Sequence, residues 1–186
     1  QAWLGLTFNW GALMGFAAAT GGLTVTTWIA YGGLQGVQPW QDLTVFGVNS
    51  RYLTDPGHIA LAALLLYLGG VFWTLGYDTI YALQDIEDDA MVGVKSSARR
   101  LGTNVQRGVG IFYALTVILT LAAGLTAGLG PVFYVALLPW AAHLVRQIRD
   151  VRPDDPGLAL RLFRSNREAG LILLLAIILG TVGWPT

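Results

Sequence analysis

Cysteine is absent from all 186 residues, which excludes disulfide scaffolds and thiolate metal centres and leaves the redox compartment unread. Charge is scarce as well. Asp, Glu, Lys and Arg make up 12% of the chain, against roughly 25% in an ordinary soluble domain. So few charges cannot cover a water-facing surface of this size. Acidic and basic residues balance at 11 each, so no basic excess invites nucleic acid as a partner. The chain instead has 54% hydrophobic residues and 24 glycines. It opens on Gln1, and Trp3, Asn9 and Trp10 suit a secretory signal poorly, so the start is read as an internal cut in a longer protein.

A helix that crosses a bilayer needs about 20 mainly apolar residues. Five stretches qualify, at 3–23, 59–80, 109–129, 131–148 and 169–184. The first is rich in Gly and Thr, as suits close helix contacts inside a bundle. Together they predict one all-α, multi-pass membrane domain over 1–186, with the lipid bilayer as its solvent. Ten of the eleven basic residues fall in two connections, Lys95–Arg107 and Arg146–Arg167, leaving only Arg51 elsewhere. Loops rich in Lys and Arg stay on the cytoplasmic side. Five spans put both connections there and place the long, irregular stretch 24–58 opposite.

Five of the eleven acidic residues crowd into one short segment: Asp78, Asp85, Glu87, Asp88 and Asp89. A carboxylate at bilayer depth is costly, so Asp78 calls for a partner or a wet cavity. Helical periodicity sets Asp78, Asp85 and Asp89 on one face with Tyr81 nearby. Oxygen-only ligands suit Mg²⁺, which pairs one or two carboxylates with substrate phosphates. Downstream, Lys95 offers a point charge, and Arg99 or Arg100 a planar fork, to phosphate oxygens. A solvated loop obeying the charge-side rule accounts for these residues too, but not for Asp78.

The string Tyr77-Asp78-Thr79-Ile80-Tyr81-Ala82-Leu83-Gln84-Asp85-Ile86-Glu87-Asp88-Asp89, with Gly93-Val94-Lys95-Ser96 after it, resembles the second aspartate-rich motif of UbiA-type prenyltransferases. Gly5–Gly11 and Phe163–Gly170 resemble two further stretches of that family. Its branch acting on 4-hydroxybenzoate in ubiquinone biosynthesis is the most similar. The resemblance implies the last five helices of a nine-helix bundle in a cell inner membrane, with the site on the cytoplasmic side. It implies Mg²⁺ held by Asp85 and Asp89, Asp78 as a nearby acidic group, and Lys95 on the diphosphate. The substrates implied are polyprenyl diphosphate and 4-hydroxybenzoate. The family's first aspartate-rich motif and a basic loop that helps hold the aromatic acid have no counterpart here, so the isolated chain is expected to be inactive.

Other residues weigh less. Asn9 is either glue between helices or part of a substrate cavity. Tyr81 is favoured over Tyr77 as an aromatic wall beside developing positive charge. Arg164, Asn166 and Arg167 read first as ordinary inside-loop residues, with a cavity role as the alternative for all three and Asn166 kept as a candidate for substrate contact. His58 reads as a turn residue, and His143 as a packed, hydrogen-bonded core residue. Two rival functions stay open: transfer to a homogentisate or naphthoate ring, and cation-coupled transport. Transport expects acidic or His groups along further spans, and the third and fifth carry none.

Overall fold

The computed structural model describes residues 2–11, 56–84 and 97–181, with side chains from 61 in the second block. Every regular element among them is helical: α1 (Ala2–Phe8), α2 (Pro56–Tyr81), α3 (Ser97–Leu101), a 3-10 turn (Gly102–Asn104), α4 (Val105–Thr126), α5 (Pro131–Asp150) and α6 (Pro156–Thr181). Helices cover the stretches read as spans two and four and most of span three, where α4 ends at Thr126. Of the first stretch, residues beyond Gly11 lie outside the described set, as do the 24–55 connection and 182–186.

The four long helices form a closed ring. α2 packs on α4, α4 on α5, α5 on α6, and α6 returns to α2, while α1 lies against α2. The interior favours small or slim side chains at the contacts. α4 buries Gly108, Thr116, Thr120, Ala123 and Gly124 on one face, and α6 buries Ala159, Ala169, Ala176 and Gly180. Tyr113, Phe133 and Trp140 fill what the small residues leave. Large apolar side chains point outward instead, including Ile118 at 60%, Leu138 at 65% and Leu171 at 61% exposure. Water would drive these side chains inward, whereas lipid tails are as apolar as they are and impose no such force. Two helical stretches, Leu61–Tyr81 and Ser97–Thr126, are long and apolar enough to cross a membrane.

The tight turn between α4 and α5 has a definite chemistry. Gly128 sits at φ +66°, its N–H bonds Leu125 O at 3.1 Å, and Leu129 N bonds Gly124 O at 3.0 Å. This pair of bonds caps the last carbonyls of α4. Gly130 N then reaches Gly180 O on α6 at 3.0 Å, fastening the turn to the far end of that helix. A Cβ at residue 128 meets left-handed strain, so Gly128→Ala is expected to cost about 1 kcal/mol. A lower thermal midpoint in detergent checks this, and an unchanged midpoint would refute it.

One boundary departs from the sequence reading. The fifth helix starts at Pro156, thirteen residues before the expected 169, so Arg161, Arg164 and Arg167 are helical and the connection from α5 shrinks to 151–155. Hydropathy registers apolarity, and these arginines interrupt it, yet arginine is a good helix former. The start is also well capped: Asp155 Oδ1 accepts from Leu158 N at 2.8 Å, and Pro156 takes the first helical position.

Candidate functional site

The last turns of α2 carry Trp73, Thr74, Tyr77 and Tyr81. Spacing by four sets the three aromatics along one flank of the helix. The second and third turns of α6 bring Phe163, Arg164, Asn166 and Arg167 opposite. Between them, with Asn9 from the end of α1, lies a cavity of about 410 Å³ lined by Asn9, Trp73, Thr74, Tyr77, Phe163, Arg164, Asn166 and Arg167. Its walls are flat aromatic faces. Tyr77 meets Phe163 edge-on at 5.7 Å between centroids, and Tyr81 extends the cluster, tilted against Phe163 at 4.7 Å.

Polar groups fix these walls in place. Asn9 Nδ2 donates to Thr74 Oγ1 at 2.8 Å, and Tyr77 OH donates to the same oxygen at 3.1 Å. Asn9 fits there because Gly70 leaves a notch, where a Cβ would stand 2.3 Å from Asn9 Oδ1. Asn9 is thus both glue between helices and part of the cavity. On the other wall, Trp73 Nε1 donates to Asn166 Oδ1 at 2.8 Å. Asn166 Nδ2 turns inward toward Gln147 Oε1 at 3.5 Å and also reaches Leu162 O at 3.2 Å.

Gln147 is the hub behind that wall. It is buried at 1% exposure, accepts from Tyr113 OH, and donates to Ser165 Oγ at 3.1 Å. His143 Nε2 shares the same Ser165 hydroxyl at 3.2 Å, which makes His143 the hydrogen-bonded residue the sequence suggested. α2, α4, α5 and α6 therefore each contribute a polar side chain to one connected network.

The acidic segment leaves from this same end of α2. Gln84 is the last described residue before it, and Ser97 the first after it. Ser97 Oγ lies 2.6 Å from Thr79 Oγ1, so α3 is fastened to the turn of α2 from which the segment departs. Asp85, Glu87, Asp88, Asp89 and Lys95 themselves lie outside the described residues. His58 falls where side chains are not described.

Several sequence expectations meet the structure here. Asn9 and Asn166 line the cavity, Tyr81 borders it, and Arg164 and Arg167, first read as loop residues, line it too. Asp78 is buried at 8% exposure but is not one of the lining residues. Arg99 is exposed on α3, and it does not line the cavity either. The shared carboxylate face fails in its premise. Leu83 N bonds Ile80 O at 3.2 Å and Gln84 N bonds Tyr81 O at 3.0 Å, so short-range bonds close the last turn and α2 ends at Tyr81. The 100° register cannot be carried from Asp78 to residues 85 and 89.

Trp73, Thr74, Tyr113, Gln147, Phe163 and Ser165 were missed. The four-residue aromatic spacing 73–77–81 was a legible signal; the pairings across helices had none.

Among the described residues, no group of three or more His, Asp or Glu side chains converges on a point. The cavity offers guanidinium, amide and hydroxyl groups, a donor set that suits an anion. A hard divalent cation instead suits carboxylate oxygens such as those of Asp85, Glu87, Asp88 and Asp89, which lie outside the described residues.

The chain matches the UbiA prenyltransferase family over residues 1–175. It belongs to that family. Curated relatives named mitochondrial 4-hydroxybenzoate polyprenyltransferase are 36% identical in Drosophila melanogaster, 35% in Homo sapiens and 34% in Arabidopsis thaliana. These matches cover 98%, 98% and 97% of this chain, but 38%, 40% and 36% of the relatives' lengths. The chain thus spans about two-fifths of the curated UbiA-family proteins it matches. No solved structure gives a significant match.

Proposed function

We propose that this chain carries part of the site of an Mg²⁺-dependent enzyme that transfers a polyprenyl group from polyprenyl diphosphate to the ring of 4-hydroxybenzoate, in ubiquinone biosynthesis. The observation that carries this reading is the aromatic-walled, arginine-edged cavity at the end of α2 from which the acidic run departs. Family membership and the names of the relatives support the same reaction class.

In this reading Asp85 and Asp89 hold the metal, and Asp78 is a further acidic group nearby. Bound magnesium supplies positive charge to the diphosphate oxygens. Lys95 and Arg99 donate to those oxygens as the allylic C–O bond breaks. Tyr81 presents its ring to the allylic cation, with Tyr77 and Phe163 behind it, an attraction that aromatic faces supply without water. Asn9 and Asn166 shape the wall against which the acceptor ring lies. A new C–C bond forms ortho to the phenol, the ring proton departs, and diphosphate leaves. The five apolar stretches cross a cell inner membrane, with this end of the bundle on its cytoplasmic, Lys/Arg-rich side.

The test is transfer activity of the full-length protein in membranes. EDTA is expected to abolish transfer to 4-hydroxybenzoate, and added Mg²⁺ to restore it. Turnover that survives chelation, or that occurs only with a homogentisate or naphthoate acceptor, would overturn the assignment.

A further inference from the structure

We infer that Arg164 and Arg167 of α6 form the seat for the carboxylate of an aromatic-acid acceptor, apart from the place where the diphosphate binds; this rests on the prenyl-transfer reading above. Both residues line the 410 Å³ cavity. They stand three apart on one helix, so their side chains emerge on the same face. No carboxylate among the described residues lies within salt-bridge distance of either guanidinium: the ion pair found on this part of the molecule joins Arg146 to Asp150. Two guanidinium groups that line a hollow, with no ion-pair partner among the described residues, make it a place for an anion.

The walls select which anion. Tyr77 and Phe163 flank the hollow with ring faces and edges, surfaces that fit a planar aromatic body. Asn166, lying between the two arginines in sequence, has its amide committed to Trp73, Leu162 and Phe163 and so is spent on holding the wall. Among the lining residues the arginines are therefore the charged donors, and a planar fork beside a carboxylate gives two parallel hydrogen bonds. The diphosphate is drawn instead to cations held by the acidic run. A carboxylate carries less charge and competes poorly with the diphosphate for those cations. Separate seats for two anionic substrates follow from this division of charge.

The experiment is steady-state kinetics of the full-length protein with Arg164→Gln and Arg167→Gln, singly and together, varying each substrate in turn. Both side chains are exposed, so the fold has little to lose from the change. KM for 4-hydroxybenzoate is expected to rise about 10- to 100-fold in the double variant, with KM for polyprenyl diphosphate unchanged. Arg164→Lys should recover part of the loss, which shows that charge and not folding was removed. With 4-hydroxybenzamide, an acceptor of the same shape without the charge, wild type and variant should converge. A rise in KM for polyprenyl diphosphate instead, or no change in either constant, overturns the carboxylate seat while leaving the transfer reaction standing. A wild-type protein that prenylates no aromatic acid removes both.

Discussion

Replacing Asp85 with alanine in the full-length protein is expected to lower turnover by about three orders of magnitude, even at saturating Mg²⁺. The reason lies in where negative charge can be neutralised. Ionising an allylic diphosphate leaves charge on the departing group, and catalysis depends on positive charge already placed to receive it. The cavity's own groups are amides, hydroxyls and two arginines, none of which can gather a divalent cation. In the proposed reading that task falls on the carboxylates that follow Gln84, and removing one would leave the cation under-ligated. Asp89→Ala should behave alike, and Asp85→Asn should be nearly as damaging, because the amide keeps the shape and loses the charge. KM for polyprenyl diphosphate should rise while KM for 4-hydroxybenzoate stays near its original value. Wild-type turnover by Asp85→Ala in added Mg²⁺ would take that residue out of the reaction.

Much of the architecture was legible because a membrane helix writes its requirement locally: a run of apolar residues of the right length needs no knowledge of its neighbours. α2, α4 and α5 each emerge from such a run. α6 was cut short for the same reason, since Arg161, Arg164 and Arg167 hide its first three turns from a hydropathy window, although Asp155-Pro156 marks the start to anyone reading caps. The register of the carboxylates was overextended in the opposite direction. Ala82, Leu83 and Gln84 are all good helix formers, with no glycine or proline to announce that α2 ends at Tyr81. The acidic motif and its nearness to Tyr81 needed only linear sequence. The cavity needed pairings such as Trp73 with Asn166, 93 residues apart, and Asn9 with Thr74, 65 residues apart. Nothing in a single sequence states such a pair.

Gln147 shows what those hidden pairings are worth. Its carboxamide lies among Tyr113, Ser165 and Asn166, and the Tyr113 ring reaches it through a notch at Gly76, where a Cβ would come within 2.3 Å of Tyr113 Cε1. Gln147→Met keeps the length of the side chain and removes every one of its hydrogen bonds. The Tyr113 hydroxyl cannot turn to water, because Gln147 and Tyr113 are both buried at 1% exposure. Hydrogen bonds between membrane helices are individually modest, and stranding a buried hydroxyl adds to their loss, so the expected cost is about 2 kcal/mol. The measurement is the thermal midpoint of the purified protein, combined with Tyr113→Phe in a double-mutant cycle. If the hub acts as described, Gln147→Met costs less in the Tyr113→Phe background, where no hydroxyl is left stranded, by about 1 kcal/mol. The cavity should register the change too. Asn166 loses a tether, Trp73 loses a fixed acceptor, and KM for the aromatic acid should rise several-fold while KM for polyprenyl diphosphate holds. Strictly additive stabilities and an unmoved KM would mean that the four helices meet at Gln147 without depending on it, and that the aromatic wall takes its shape from packing alone.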